Sequence, residues 1–163
     1  MKFMDWGYRL CCWTLGLVFI YAGSTKLLAP QVFAVLIEAY GIVPDGLLLP
    51  VAVVLPALEV AAGIGLLLDV RGGLAAIAGM LALFLLILGY GLHLGLDVDC
   101  GCFGPEDPEA QAFHGLRTAF HRDLIMAAGI FFAYGWRRYR GIVPKPITYY
   151  LNMEKWIKKE NLA

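Results

Sequence analysis

Long apolar runs alternate with short polar segments along this chain, and the runs have the length of membrane-spanning helices. A helix needs about 20 apolar residues to cross a hydrocarbon core of about 30 Å. Three runs meet that length, at residues 10–28, 47–68 and 74–96. A fourth uncharged run, 124–136, has only 13 residues, so it spans only if charged neighbours are included. The pattern predicts an all-α bundle of four transmembrane helices, the last at about 119–138.

The polar segments between these runs divide the rest of the chain. Residues 1–140 form the predicted transmembrane domain, with a loop at 97–116 between the third and fourth spans, and residues 141–163 form a basic tail. After the first span, Pro30 opens a segment with apolar positions at helical spacing. We predict a short helix there, lying in the membrane interface. It either packs on the bundle or covers its mouth.

Composition supports a membrane protein over a soluble one. The 163 residues suffice for one domain. Hydrophobic residues make up 60% of them and charged residues 16%, which is too apolar for an ordinary soluble domain. The formal net charge is zero, so nothing indicates nucleic-acid binding, and membrane lipid is the predicted surrounding.

The placement of lysine and arginine predicts the orientation. With four spans, both termini and the turn at 69–73 share one side of the membrane. That side holds ten of the thirteen cations, which makes it cytoplasmic by the positive-inside tendency. The loop at 97–116 is then periplasmic in a bacterial inner membrane, where disulfides persist. The first run is interpreted as an uncleaved span rather than a secretory signal.

Cys100-Gly101-Cys102, in the predicted loop, is the stretch most typical of reactive chemistry. Two sulfurs bond only where the backbone brings their Cα atoms within about 7 Å, and Gly101 permits the necessary bend. Strained, exposed disulfides are labile and oxidising rather than structural. We therefore interpret Cys100 and Cys102 as a redox-active catalytic pair.

Two other interpretations of this pair stay open. Cys100 and Cys102 are soft ligands and, with His93 or His114, suit a thiophilic metal. A tetrahedral zinc site needs four ligands, however, and the pair supplies two. In the other interpretation, the disulfide only staples a loop in a non-catalytic membrane subunit.

Glu59 is an ionisable residue at mid-depth in the second predicted span, which Pro50 and Pro56 are expected to bend. A carboxyl group at that depth is costly, so it is a functional hypothesis, here in quinone or proton handling. The alternative is a packing role through a hydrogen bond to Tyr21 or Tyr90.

Further candidates lie near the ends of the spans. His93, about two turns before the cysteines, is interpreted as either a packed or a catalytic side chain, and lies between Gly91 and Gly95, a pair that predicts close helix approach. Arg122 is expected to face lipid headgroups or an anion, beside Asp123 as the cap of the last span.

For two further cysteines and two histidines, a structural role is the simpler interpretation. Cys11 and Cys12 lie near the opposite end of the first span from the loop and are interpreted as small apolar fillers of a helix. His114 and His121 are expected to be solvated, although an imidazolium from either would stabilise a thiolate.

Several stretches over residues 9–136 match one family of membrane proteins. They are Arg9, Leu15-Gly16, Phe19, Ala22-Gly23, Lys26-Leu27, Pro30, Phe33, Tyr40, Pro44, Leu55-Pro56, Glu59, Gly63, the Cys-Gly-Cys-Phe-Gly stretch from Cys100, and Arg122-Asp123. The chain thereby resembles the family that includes the methylamine utilisation protein MauE and the DoxX-like proteins.

The resemblance implies an inner-membrane protein associated with redox work. MauE-like proteins are linked to maturation of the disulfide-rich small subunit of methylamine dehydrogenase, and DoxX-like proteins to quinone-coupled sulfur oxidation. With the Cys100/Cys102 pair, our leading hypothesis is a thiol-disulfide oxidoreductase or electron conduit with a periplasmic partner, thioredoxin-like or disulfide-containing. Quinone is the candidate cofactor by analogy with the family. The bundle is also similar to those of DsbB and vitamin K epoxide reductase, although their Cys-x-x-Cys motif differs. Cys11-Cys12 and the basic tail depart from the family.

Overall fold

The computed structural model describes residues 2–95, 116–144 and 146. The described residues form five helices, which confirms the predicted all-α class with a short helix after the first span. They are α1 (Lys2–Leu28), α2 (Pro30–Ala39), α3 (Asp45–Leu67), α4 (Gly73–Leu94) and α5 (Leu116–Arg140).

The surface of the bundle is suited to lipid. Three helices, at Met4–Leu28, Asp45–Leu67 and Gly73–Leu94, are long and apolar enough to cross a membrane. Large apolar side chains point outward on all four long helices, among them Leu17, Val54, Leu86, Ile125 and Phe131. Soluble monomeric proteins rarely expose so much contiguous apolar surface. The protein is therefore a helical membrane protein.

Helices α1 and α3 run antiparallel and touch backbone to backbone. A Cβ added at Gly63 would lie 2.7 Å from the carbonyl oxygen of Gly16, and one added at Gly23 would lie 2.7 Å from the carbonyl oxygen of Pro56. Glycine at these positions allows the helices to approach closely, as small residues do in membrane bundles.

The predicted close helix approach is confirmed at Gly91 and wrong at Gly95. A Cβ added at Gly91 would lie 2.7 Å from the ring of Tyr40, the residue that caps α2, and 3.3 Å from the Leu116 side chain of α5. Gly95 has no atom within 4 Å of a built Cβ and a φ of +67°. It ends α4 in the left-handed conformation that glycine adopts readily.

One end of the bundle, the turn end, contains the start of α1, the turn between α3 and α4, and the end of α5. The Arg137 Nε donates a hydrogen bond of 2.6 Å to the Tyr8 hydroxyl, and Arg137 also pairs with Asp69 in the turn. Asp5 accepts hydrogen bonds from Trp136 and Arg140. The opposite end, the far end, contains α2, the end of α4 and the start of α5.

An apolar core separates the two ends and is contributed by all four long helices. Its buried side chains include Leu15 and Phe19 of α1, Leu66 of α3, Ile77 of α4 and Ile130 of α5. Helix α2 buries none of its residues and packs mainly on α3. The core fixes the long helices against one another and leaves polar groups to concentrate on either side of it.

Candidate functional site

A buried ion pair joins α1 to α3 beyond the core, towards the far end. Lys26 Nζ lies 2.7 Å from Glu59 Oε1, and the two residues are 5% and 1% exposed. Charged groups inside a membrane bundle are expensive and are retained where they pair or serve a function. The pair neutralises both charges within an otherwise apolar region.

Two aromatic rings enclose the ammonium group of this pair. Lys26 Nζ lies 5.2 Å from the centroid of the Phe33 ring, on α2, and 4.9 Å from that of the Phe84 ring, on α4. At these distances the face of each ring attracts the cation. The Lys26 side chain thus connects α1 to three other helices, α2, α3 and α4.

A second charged pair on α5 completes the site. The guanidinium of Arg122 donates two hydrogen bonds to Asp123 Oδ1, at 3.2 and 3.0 Å, and Asp123 is 2% exposed. The Asp123 carboxylate also interacts electrostatically with Lys26 and Glu59. We call these four residues the polar cluster: Lys26, Glu59, Arg122 and Asp123.

The Glu59 carboxylate is only half satisfied. Its Oε1 accepts the hydrogen bond from Lys26, whereas its buried Oε2 has no hydrogen-bond partner among the described residues. A buried acceptor without a partner typically costs about 1–3 kcal/mol, and more when it is charged.

The local sequence of two helices positions Glu59. Gly23 brings α1 against the stretch of α3 that carries Pro56 and Glu59, and a Cβ there would lie 2.9 Å from Glu59 Cβ. This approach places Lys26, one turn further along α1, within reach of the carboxylate.

Comparison with protein families identifies the chain. The family described as methylamine utilisation protein MauE matches residues 4–138, which include the Cys-Gly-Cys stretch and all but the outermost residues of the five described helices. The protein belongs to the MauE family. Comparison with curated proteins gives no match, and comparison with solved structures gives none.

The structure of this MauE-family protein brings together some of the predicted site residues. Glu59 and Arg122 both belong to the polar cluster, whereas the His93 side chain is exposed near the end of α4. Cys100, Cys102 and His114 lie outside the described residues. Among the residues the structure does describe, no three His, Cys, Asp or Glu side chains group closely enough to hold a metal ion.

Sequence reasoning missed two members of the polar cluster. Asp123 is buried inside α5 rather than capping its first turn, so the predicted capping role is wrong. Lys26 was not predicted to pair with Glu59, and the partner that the structure shows for Glu59 is Lys26 rather than a tyrosine. A buried acid in a span requires an opposite charge nearby. Lys26, close to the first apolar run, could have been recognised from the sequence as that charge.

The other cysteine pair of this MauE-family protein packs in the apolar core, on the side nearer the turn end. Cys12 is buried in the core, and Cys11 Sγ lies 3.4 Å from the carbonyl oxygen of Gly129 on α5. Both are free thiols. They contribute to the contact between α1 and α5, as the interpretation as small helix fillers expects.

Proposed function

We propose that this MauE-family protein is a membrane thiol-disulfide redox protein that acts in methylamine utilisation through Cys100 and Cys102. The observation that carries the proposal is the family match over residues 4–138, which contains both cysteines. The pair follows α4 and precedes α5 in the chain, so it is flanked by the helix ends nearest the polar cluster.

The chemistry is an exchange with a dithiol partner. A partner thiolate attacks one sulfur of the Cys100–Cys102 disulfide, a mixed disulfide forms, and the other cysteine leaves as a thiolate. The second partner thiol then displaces the first sulfur. The partner gains a disulfide and this chain gains two thiols, so two electrons pass to the chain. The reverse sequence uses the same steps and delivers a disulfide to the partner.

The proposed partner is a periplasmic protein that is thioredoxin-like or disulfide-containing, consistent with a MauE-like maturation role. A membrane quinone is the proposed oxidant of the reduced pair, taking two electrons and two protons to become the quinol. Adding a soluble quinone to membranes should then convert the reduced Cys100/Cys102 pair to the disulfide, as measured by a mass-tagged maleimide.

The proposed orientation places the termini in the cytoplasm and residues 97–116 in the periplasm. It is supported by the described cations of the turn end, Arg71, Arg137, Arg138 and Arg140, because cytoplasmic segments are enriched in lysine and arginine. A variant with Cys11→Ala and Cys12→Ala retains only Cys100 and Cys102 as thiols. After reduction, a membrane-impermeant maleimide should label it from the outside of spheroplasts. Labelling only after the membrane is permeabilised would contradict the orientation.

A trapping experiment tests the exchange itself. Cys102→Ser leaves no disulfide within the pair, so Cys100 forms a mixed disulfide only by attacking the disulfide of an oxidised partner, as in the reverse sequence. With no resolving thiol, this adduct should accumulate and release its partner on reduction, as seen on non-reducing gels and identified by mass spectrometry. Cys11→Ala is the matched control and should behave as the native chain does.

Other outcomes would replace this function. A Cys100/Cys102 pair that stays oxidised at every redox potential and forms no adduct would indicate a disulfide that only staples a loop. Stoichiometric metal in the purified protein, lost with either cysteine, would indicate a binder of thiophilic metal.

A further inference from the structure

The outer face of α1 at the turn end carries an arginine between two tryptophans. Trp6, Arg9 and Trp13 recur at intervals of three and four residues, so they lie along one face of the helix. Arg9 is exposed, and the two tryptophans are 68% and 52% exposed. Within the described part of the chain, the Arg9 guanidinium has no ion-pair or hydrogen-bond partner and neither indole N–H has an acceptor. This face therefore presents polar donors that the described helices do not satisfy.

A second arginine lies at the same level of the bundle. A Cβ added at Gly16 would lie 2.9 Å from the Leu67 side chain, so Gly16 faces the last residue of α3. Arg9 is seven residues earlier, which keeps it on the same side of α1 and about 10 Å further along, at the level of the turn that follows α3. Arg71 lies in that turn and is exposed, and no described residue pairs with it or accepts from it.

The carboxylates of the turn end are already engaged. Asp5 and Asp69, the only acids among the described residues there, are each paired with an arginine of α5. Arginine stays protonated at any physiological pH, and two like charges at one corner of the bundle repel each other. An anion bound between α1 and the turn would remove the repulsion between Arg9 and Arg71.

We propose that Arg9, Arg71 and the two tryptophans form a binding site for the headgroup of an anionic phospholipid. The guanidinium groups bind the phosphate oxygens, because the planar fork of arginine matches phosphate geometry. The indole N–H groups donate to the neighbouring ester and hydroxyl oxygens. The assignment depends neither on the cysteine chemistry proposed above nor on which side of the membrane the turn end faces.

The apolar side chains beside Arg9 favour a lipid over a soluble phosphate compound. Leu10 and Leu17 lie on the same side of α1 as the tryptophans and are exposed, within a helix that is apolar enough to span the membrane. They are placed to contact an acyl chain while Arg9, which directly precedes the apolar run 10–28, contacts the headgroup. Tryptophan is enriched at this boundary between headgroups and hydrocarbon.

The charge of the site selects the headgroup. Two arginines exceed the single negative charge of a phosphodiester, so the site excludes a headgroup that brings its own cation. Phosphatidylglycerol has a phosphate and hydroxyl groups but no cation, whereas phosphatidylcholine carries a quaternary ammonium group that the arginines would repel. We therefore expect the site to bind phosphatidylglycerol in preference to phosphatidylcholine.

Native mass spectrometry of the full chain in detergent micelles, titrated with each lipid, measures this binding. Phosphatidylglycerol should be retained on the chain at concentrations at which phosphatidylcholine with the same acyl chains is not. Arg9→Gln and Arg71→Gln should each lower the affinity for phosphatidylglycerol about fivefold, since a basic residue near an anionic lipid surface contributes by about that factor. Both positions are exposed, so the variants should fold as the native chain does.

Arg138→Gln is the matched control, because it removes the same charge from an exposed position of α5 at the same end of the bundle. It should change the affinity by less than about twofold, as an exposed charge outside the site does. Equal losses in all three variants would indicate diffuse attraction to a basic surface and would overturn the proposal. Equal retention of the two lipids by the native chain would also overturn it.

The soluble headgroup glycerophosphoglycerol separates a lipid from a soluble ligand. It carries the phosphate and hydroxyl groups of phosphatidylglycerol without acyl chains, and at equal concentration it should not displace the bound lipid. Displacement as effective as that by the lipid itself would identify a site for soluble phosphate compounds and would overturn the lipid assignment. The double variant Trp6→Phe with Trp13→Phe keeps the rings but removes both donors, and unchanged affinity would overturn the role given to the indole groups.

Discussion

Breaking the Lys26–Glu59 pair one partner at a time should cost far more than removing both partners. The changes are Lys26→Met, Glu59→Leu and the double variant. Methionine is close to lysine in length and its sulfur makes favourable contacts with aromatic rings, so the packing against Phe33 and Phe84 is largely kept.

The geometry sets the size of the effect. Two unit charges 2.7 Å apart attract by about 6 kcal/mol at an effective dielectric constant of about 20, and most of this offsets the cost of burying them. Removing one partner leaves the other charge buried and alone, at a typical cost of about 3–5 kcal/mol. Replacing both with apolar residues is often neutral or stabilising by about 1–4 kcal/mol. The coupling energy between the two sites should therefore be several kcal/mol.

The free energy of unfolding in detergent micelles, followed by circular dichroism during titration with SDS, measures this cycle. The exposed pair Asp5 and Arg140 is the control, and its coupling should be at most about 1 kcal/mol. If the effects of Lys26→Met and Glu59→Leu simply added in the double variant, the two residues would not act as a pair and the reasoning would be refuted.

Two further predictions concern packing and the turn end. Gly63→Ala should destabilise the protein by about 1–3 kcal/mol, because its Cβ would lie 2.7 Å from a backbone oxygen of α1. The control Gly79→Ala should be neutral or slightly stabilising, because a Cβ there would have no atom within 4 Å. The same SDS titration compares the two variants. Arg137→Gln should lower the free energy of unfolding by about 1.5–3 kcal/mol through its lost hydrogen bonds. Arg138→Gln, at an exposed position, should lower it by less than about 0.5 kcal/mol. Equal losses in the two variants would contradict the role assigned to Arg137.

The long helices were predictable because each membrane span is one continuous apolar stretch of the sequence. A span has to cross a hydrocarbon core of nearly fixed thickness, so the length of an apolar run is enough to recognise it. Helix α1 extends well before the apolar run at 10–28, starting at Lys2. Its polar first turns are stabilised by contacts at the turn end, which an apolar count does not register.

The polar cluster was only partly predictable because it depends on how the helices rotate against one another. Glu59 was recognisable from its depth in an apolar run, but the pairing with Lys26 required the close approach at Gly23. Asp123 was assigned to a helix cap because the fourth run was placed too late; α5 begins at Leu116, which carries Asp123 past the first turn and into the interior.

The separation of Lys26 and Glu59 in the chain has a consequence for biogenesis. The two residues are 33 positions apart, so the first span emerges from the ribosome before the carboxylate that neutralises its lysine has been made. A lone lysine opposes insertion by about 2.5–3.5 kcal/mol at the centre of a span, and by less in the last turn of the helix, where Lys26 lies. We therefore expect α3 to assist insertion of the first span, the two helices entering the bilayer as one hairpin.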